Sequence, residues 1–281
     1  MVASIKMQLI LKKQNCNVNI ATLFGTSAIA SLYGLVTPGL LNATIKWYLL
    51  KKNTNKGTYI FSGMVYNQLT ETVVIMAFGL IALMVTNPTK LLLPNVKNQY
   101  LLPTVSGILL TGTIVISLML INRRTGSVFS RIFRRTIKFL PVKIQRKADE
   151  TLTQTTDFQS AGWRFHCLIT MLTIVMTILS CVFAFILSAK GANISVPIGV
   201  LIWLSALVGI LGKIPISIAN LGVREITLVQ ILAFYNIEPS AALIMSMIFF
   251  SGSVFMAVVG AAYQTFWTFN PAKLNSAAAT K

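Results

Sequence analysis

Arg224 and Lys46 are the two residues of this chain best placed to do chemistry. Arg224 follows Asn220-Leu221-Gly222 and precedes Glu225; Lys46 follows Thr37-Pro38-Gly39 within a few helical turns. Each cation opens an amphipathic stretch just after a Pro/Gly break in an apolar run. An arginine fork suits a phosphate, and a helix N-terminus adds backbone donors for the same anion. One reading is therefore that Arg224, with Asn220 to Gly222, holds a lipid phosphate. The other is that Arg224 pairs with Glu225 or Glu71 and only fixes helix packing. Lys46 either meets the same head group from the opposite side or snorkels toward the surface with Lys51 and Lys52. Asn42 and Thr44 are neutral donors on the same stretch. Lys213, two positions before Pro215, either guards the cavity or sits favourably at a helix C-terminus. Glu71 is the only acidic residue in the apolar run Tyr59 to Thr86. It is a candidate for proton coupling, for a salt bridge, or for a local hydrogen bond to Asn67 or Gln68.

The elements that must position these residues are membrane helices. Hydrophobic residues are 55% of the 281 and charged residues only 11%, where a soluble domain carries about a quarter. Tyr59 to Thr86, Leu101 to Ile121, Phe165 to Ala189 and Ser240 to Trp267 each reach the roughly 20 residues a bilayer requires. They are continuously apolar, which excludes the alternation of a β-barrel. Two further runs are interrupted. Residues 20–50 break at an elbow of Pro38 and Gly39; residues 197–234 break at Pro215 and again at Gly222. The expected fold is all-α: four full spans and two re-entrant helical hairpins of opposite orientation, an inverted repeat. One membrane domain covers the whole chain, with a first half over residues 1–86 and a second over 165–268.

The formal net charge is +18, and its placement sets the topology. Residues 122–164 form the most basic loop, which the positive-inside rule puts in the cytoplasm. Lys12, Lys13, Lys51, Lys52, Lys56, Lys273 and Lys281 then fall on the same side, with both termini, and a bacterial inner membrane is the expected location. Because the charges flank apolar spans, nucleic acid is not an expected partner. Thr125 to Leu140 is basic and amphipathic, as a helix lying on an anionic leaflet would be. Met1 to Gln14 lacks the pattern of a secretory signal and reads as an interfacial lead-in. Cys16, Cys167 and Cys181 have no metal-ligand spacing, and His166 stands alone. No metal or cofactor is expected. The glycines at 25, 34, 107, 112, 199, 209, 252 and 260 read as helix-packing positions.

The stretch from Lys213 to Val229, with its Asn-Leu-Gly-Val-Arg-Glu core, is followed by Ile237-Glu-Pro-Ser-Ala-Ala-Leu243. Together with the Leu35-Val-Thr-Pro-Gly39 elbow, it resembles the membrane domain of lysylphosphatidylglycerol synthases and their stand-alone flippase-like relatives. That family usually has Gly-Gly where this chain has Ala219-Asn220. It often opens the span after the first hairpin with an acidic-Arg pair, where this chain has Asn67-Gln68 and then Glu71. Many relatives also carry a transmembrane helix before the first hairpin, and this sequence begins too late to include one. The resemblance implies movement of modified phospholipids or polyprenyl-linked lipids between leaflets. The aminoacyl-transferase module of the synthases is a separate soluble domain, so lysine transfer is not implied.

Two functions follow as expectations. The first is a lipid flippase for an anionic phospholipid or a polyprenyl-linked lipid. The second is a non-catalytic membrane subunit that anchors a cytoplasmic glycosyltransferase or lipid-modifying enzyme through the basic loop. A membrane enzyme is not expected, because no metalloprotease, serine-nucleophile or Asp-rich metal motif occurs.

Overall fold

The computed structural model describes residues 1–37, 39–54, 56–121, 158, 161–214 and 219–269. Pro38, Pro215, residues 122–157 with the basic segment, and the carboxy-terminal lysines lie outside the described residues. All regular structure among those described is helical. We number the helices α1 (Val2–Lys13), α2 (Ile20–Gly34), α3 (Gly39–Thr54), α4 (Gly57–Thr86), α5 (Thr89–Leu92), α6 (Leu101–Ile121), α7 (Trp163–Gly191), α8 (Ile198–Leu211), α9 (Val223–Ala233) and α10 (Pro239–Phe269). The long apolar runs became α4, α6, α7 and α10, each long and apolar enough to cross a membrane. A π turn, Ile178–Phe183, sits inside α7.

Both interrupted runs form helix pairs. At 15 and 14 residues, α2 and α8 reach only about 22 Å at 1.5 Å per residue, short of a 30 Å hydrocarbon core. Each ends in the same local arrangement. A Cβ on Gly34 would meet the Asn42 side chain, and a Cβ on Gly212 would meet the Asn220 side chain. In both cases a glycine ending the first helix leaves room for an asparagine eight positions later. The second break also runs through left-handed backbone, with φ of 52° at Ala219, 60° at Asn220 and 86° at Gly222.

The two pairs open at opposite ends of α4. Leu23 near the start of α2, Leu50 near the end of α3 and Ile60 near the start of α4 share one buried cluster, joined by Met7, Leu11 and Val18. Val200 and Leu201 at the start of α8, Leu232 at the end of α9, Met245 on α10 and Ala82 near the end of α4 share another. Ile60 and Ala82 are 22 residues apart, about 33 Å of helix, close to the thickness of a bilayer core. At the first end lie Trp47, whose Nε1 donates to Gly57 O over 2.8 Å, and Trp267, which packs at Gly25. Tryptophans at one level are the usual mark of a membrane–water interface.

Long-range packing pairs the halves crosswise. The first helix of each pair packs on the long span that follows the other pair: α2 on α10, and α8 on α4. Small residues permit both crossings. A Cβ on Gly260 would meet the Ala28 carbonyl, one on Gly25 would meet Tyr263 and Trp267, one on Gly79 the Ala206 methyl and one on Gly199 the Thr86 side chain. Without a hydrophobic force between helices in lipid, such close approach supplies the contact energy. Gly112 and Gly252 differ from the expectation, since a Cβ on either would meet nothing within 4 Å. Gly112 lies on α6, which packs on α4 and α5 and leaves Ile108, Leu109, Val115 and Ile116 exposed. That outward apolar face suits acyl chains.

Gly260→Ala should lower stability in detergent by about 1–3 kcal/mol, because the added methyl would be driven into backbone. Gly112→Ala should leave it unchanged. Paired thermal melts of the two variants check this.

Candidate functional site

A lysine is among the largest fully buried side chains described in the protein. Lys6, on α1, is 1% exposed, and its Nζ lies 2.9 Å from Glu71 Oε1 on α4. Its Nζ also reaches Thr173 Oγ1 on α7 at 3.4 Å. Asn67, one turn before Glu71, donates from Nδ2 to the same carboxylate oxygen at 2.9 Å. The carboxylate therefore binds a cation and an amide at once, and the side chain keeps 22% exposure. Asn67 Oδ1 is buried and has no hydrogen-bond partner among the described residues.

Two more lysines stand near enough to feel the charge of this pair. Lys46 on α3 lies within electrostatic range of both Glu71 and Lys6. So does Lys213 at the break after α8, which is also in range of Cys181 in the π turn of α7. Each belongs to a different helix pair, and the pairs open at opposite ends of α4. Glu71 stands eleven residues from Ile60 and eleven from Ala82, so the cluster lies at the mid-level of the long helices. One ion pair, Lys6–Glu71, sits there, with two further lysines within its electrostatic range. Charge at that depth faces a cavity or a partner because hydrocarbon cannot solvate it.

The N-terminus explains why Lys6 escaped a reading from residues alone. Met1 to Gln14 does not lie on a surface. α1 packs on α2, α4 and α7, and Ser4, Lys6, Met7, Ile10 and Leu11 are buried. It runs antiparallel to α4: Lys56 Nζ donates to Asn15 O at 2.8 Å and Gln14 Nε2 to Ser62 Oγ at 3.2 Å, which sets Lys6 opposite Glu71. The available signal was helical spacing, since Lys6 shares a face with Ile10 and the adjacent Met7 shares one with Leu11.

Arg224 is built into a different arrangement. It opens α9 and is 4% exposed. Its Nη2 lies 2.6 Å from Glu225 Oε1, its Nε donates to Ser246 Oγ of α10 at 2.7 Å, and its guanidinium lies 5.2 Å over the Phe250 ring. Ser246 Oγ in turn donates to Glu225 Oε1 at 2.6 Å. Glu225 Oε2 accepts from Gly222 N at 2.6 Å, satisfying one of the free donors at the start of α9. The three residues form a clasp between α9 and α10. The structure thus places Arg224 with Glu225, and Glu71 with Lys6 and Asn67; Lys46 and Lys213 lie within electrostatic range of Glu71. Asn42 and Asn220 lie against Gly34 and Gly212 in the two breaks. Of the elbow residues, Gly39 begins α3 and Gly222 precedes α9, while Pro38 and Pro215 are outside the described residues.

His166 forms a third polar group that the sequence left alone. Its Nε2 bonds to the Phe158 carbonyl at 3.0 Å, so that nitrogen donates, and in the neutral ring Nδ1 accepts from the Tyr66 hydroxyl at 2.7 Å. Phe158 is buried and stacks on Tyr66 with ring centres 4.5 Å apart. This seat holds the chain just before α7 against α4.

Four membrane-length apolar helices among the described residues define an integral membrane protein. Residues 1–260 match the family model described as the lysylphosphatidylglycerol synthase TM region, and the chain belongs to that family. Searches of curated proteins and of solved structures found no match.

Two stability effects follow. Arg224→Ala should cost about 3 kcal/mol, because it leaves Glu225 and Ser246 without their cation; adding Glu225→Ala should recover part of that loss in thermal melts. Ala219→Gly should stabilise by about 0.5–1 kcal/mol, since glycine carries no left-handed penalty, and a melt of this single variant measures it.

Proposed function

We propose that this protein moves an anionic lipid between leaflets and that the Glu71 cluster receives its head group. The observation that carries the reading is the buried Lys6–Glu71 ion pair halfway along α4, with Lys46 and Lys213 within electrostatic range of it. A net positive site at that depth serves a substrate that itself crosses the membrane. The reading takes α2–α3 and α8–α9 as re-entrant hairpins of an inverted repeat. Their opposite openings, the crosswise packing and the matched Gly–Asn breaks support it. In this arrangement the start of α4 and the amino-terminal end of α7 face the cytoplasm, as the lysines clustered there favour.

Transport then proceeds by exposing one cluster alternately past the α2–α3 pair and past the α8–α9 pair. Glu71 balances the ammonium groups when no lipid is bound and keeps the site from trapping an anion too tightly. Arg224 works through packing of α9 on α10 and stays outside the binding chemistry. No covalent step is involved, and the protein acts as a transporter rather than an enzyme.

Leaflet-resolved movement of labelled phosphatidylglycerol and of a polyprenyl phosphate analogue in proteoliposomes tests the reading. Wild type should move at least one of them, and Lys46→Ala should slow it about tenfold or more while melting near wild type; Glu71→Gln should slow it as much and also melt lower, because it strands the buried Lys6 ammonium. Absence of movement by folded wild type, or full rates in both variants, would overturn it; the first result would favour an anchoring subunit.

A further inference from the structure

The end of the first helix pair where α4 begins carries a concentration of charge that the head-group site does not use. Lys12 and Lys13 close α1, Lys51 and Lys52 lie in the last turn of α3, and Lys56 precedes α4. All five are exposed. Direct contacts bring these three segments to one rim. Lys56 Nζ donates to Asn15 O, just beyond Lys13, at 2.8 Å. A Cβ on Gly57 would meet the Lys51 stem, and the Lys51 ammonium stands 5.0 Å from the centre of the Trp47 ring. Trp47 in turn donates to Gly57 O. Lys56 and Gly57 are adjacent, so the ends of α1 and α3 meet at the start of α4.

Five ammonium groups on one rim repel one another, and among the described residues no carboxylate pairs with any of them. The packing of α1 and α3 on α4 therefore works against a repulsion that salt screens in part and an anionic surface opposes directly. Aromatic side chains indicate which surface. Tyr48, 59% exposed, stands one turn before Lys51 and Lys52, and Tyr59, 40% exposed, follows Lys56 at the start of α4. Rings beside lysines suit the glycerol and phosphate layer of a bilayer, with the ring toward acyl chains and the cation toward phosphate. A soluble anion would have no use for the rings. The positive-inside rule accounts for the side on which the lysines lie, but not for their fixed placement. Lys51 is laid along Gly57 and Trp47, and Lys56 is bound at Asn15.

We propose that this rim is a docking site for anionic phospholipids of the leaflet it meets, and that their phosphates are the counter-ions that hold the ends of α1 and α3 to the start of α4. The occupant is a bilayer lipid, held by head group and acyl chain together. By the positive-inside rule that leaflet is the cytoplasmic one, where anionic lipids attract lysines beside a membrane helix. The rim is separate from the Glu71 site, which stands fourteen residues beyond Gly57 on α4, about 21 Å of helix. It docks lipid whether or not that site moves one.

The test uses the full chain in nanodiscs of phosphatidylcholine alone and of an equimolar mixture with phosphatidylglycerol. The melting temperature is measured in each, and the lipids retained on release from the mixed discs are counted by native mass spectrometry. Phosphatidylglycerol should raise the melting temperature and be retained in preference to phosphatidylcholine. Each lysine at such a surface contributes about fivefold in affinity. Lys12→Gln/Lys13→Gln/Lys51→Gln/Lys52→Gln, which keeps the Lys56–Asn15 contact, should therefore retain at least about tenfold less phosphatidylglycerol and lose most of the rise in melting temperature. Lys90→Gln/Lys97→Gln/Lys190→Gln, at the opposite end of the long helices, should behave as wild type. Tyr48→Ser, which changes no charge, should also weaken retention, and it gives a second readout if the four-lysine variant fails to fold. Inorganic phosphate added to phosphatidylcholine discs should not reproduce the rise. Equal retention of the two lipids, retention unchanged in both the four-lysine and the Tyr48 variants, an equal loss in the three-lysine variant, or a full rise with free phosphate would overturn the proposal.

Discussion

A lysine ammonium with almost no exposure must find an anion, and the arrangement of the first half of this protein follows from that requirement. Lys6 finds Glu71. To bring them together, α1 must lie antiparallel to α4, with its C-terminal end fixed by the contacts of Gln14 and Asn15. The pair must also be shielded, which α2 and α7 do by closing on α1. Removal of either charge would strand the other at a depth where desolvation costs several kcal/mol per ion. The same depth makes nearby cations effective. Lys46 and Lys213 sense a field that water would screen at a surface.

Much of this protein could be read from its residues because lipid imposes simple rules. Apolar length identified the four spans to within two residues of where α4, α6, α7 and α10 begin and end. Pro and Gly marked the interruptions, and the Asn-Leu-Gly-Val-Arg-Glu core pointed to the family. The site was less legible. Arg224 attracts attention as a lone cation after a glycine, yet Ser246, which completes its clasp, lies twenty-two positions away on an apolar helix. Nothing local announces that a serine in Met245-Ser246-Met247 faces an arginine. Lys6 lay hidden for the opposite reason. Its neighbours are unremarkable, and its meaning depends on Glu71 and Thr173, which only the packing of three helices brings near.

The Ala219-Asn220 pair at the second break also has a physical account. Ala219 and Asn220 both hold left-handed backbone, which glycine adopts freely and alanine does not. Asparagine tolerates that conformation better than most residues, and its side chain fills the space over Gly212. An asparagine at this position therefore keeps the left-handed path. It exchanges conformational ease for a side chain that packs the end of α8 against the turn leading to α9. Asn42, inside α3, lies over Gly34 in the same way, so packing of an asparagine on a glycine is common to both halves.

The π turn in the middle of α7 sets a requirement of length rather than of composition. Residues Ile178–Phe183 close wider rings than an α-helix does, which absorbs one extra residue without turning the helix beyond it out of phase. Thr173 before the turn faces Lys6, and Phe185 and Ala189 after it are buried with α8 and α10. Both faces are therefore in register only because the extra residue is taken up there. A shorter chain missing one residue within this turn could run as plain α-helix and keep both partners, whereas the same loss a turn earlier or later would rotate one of them by about 100°. Length variation in α7 has one permissive point, and it lies beside the level of the charge cluster.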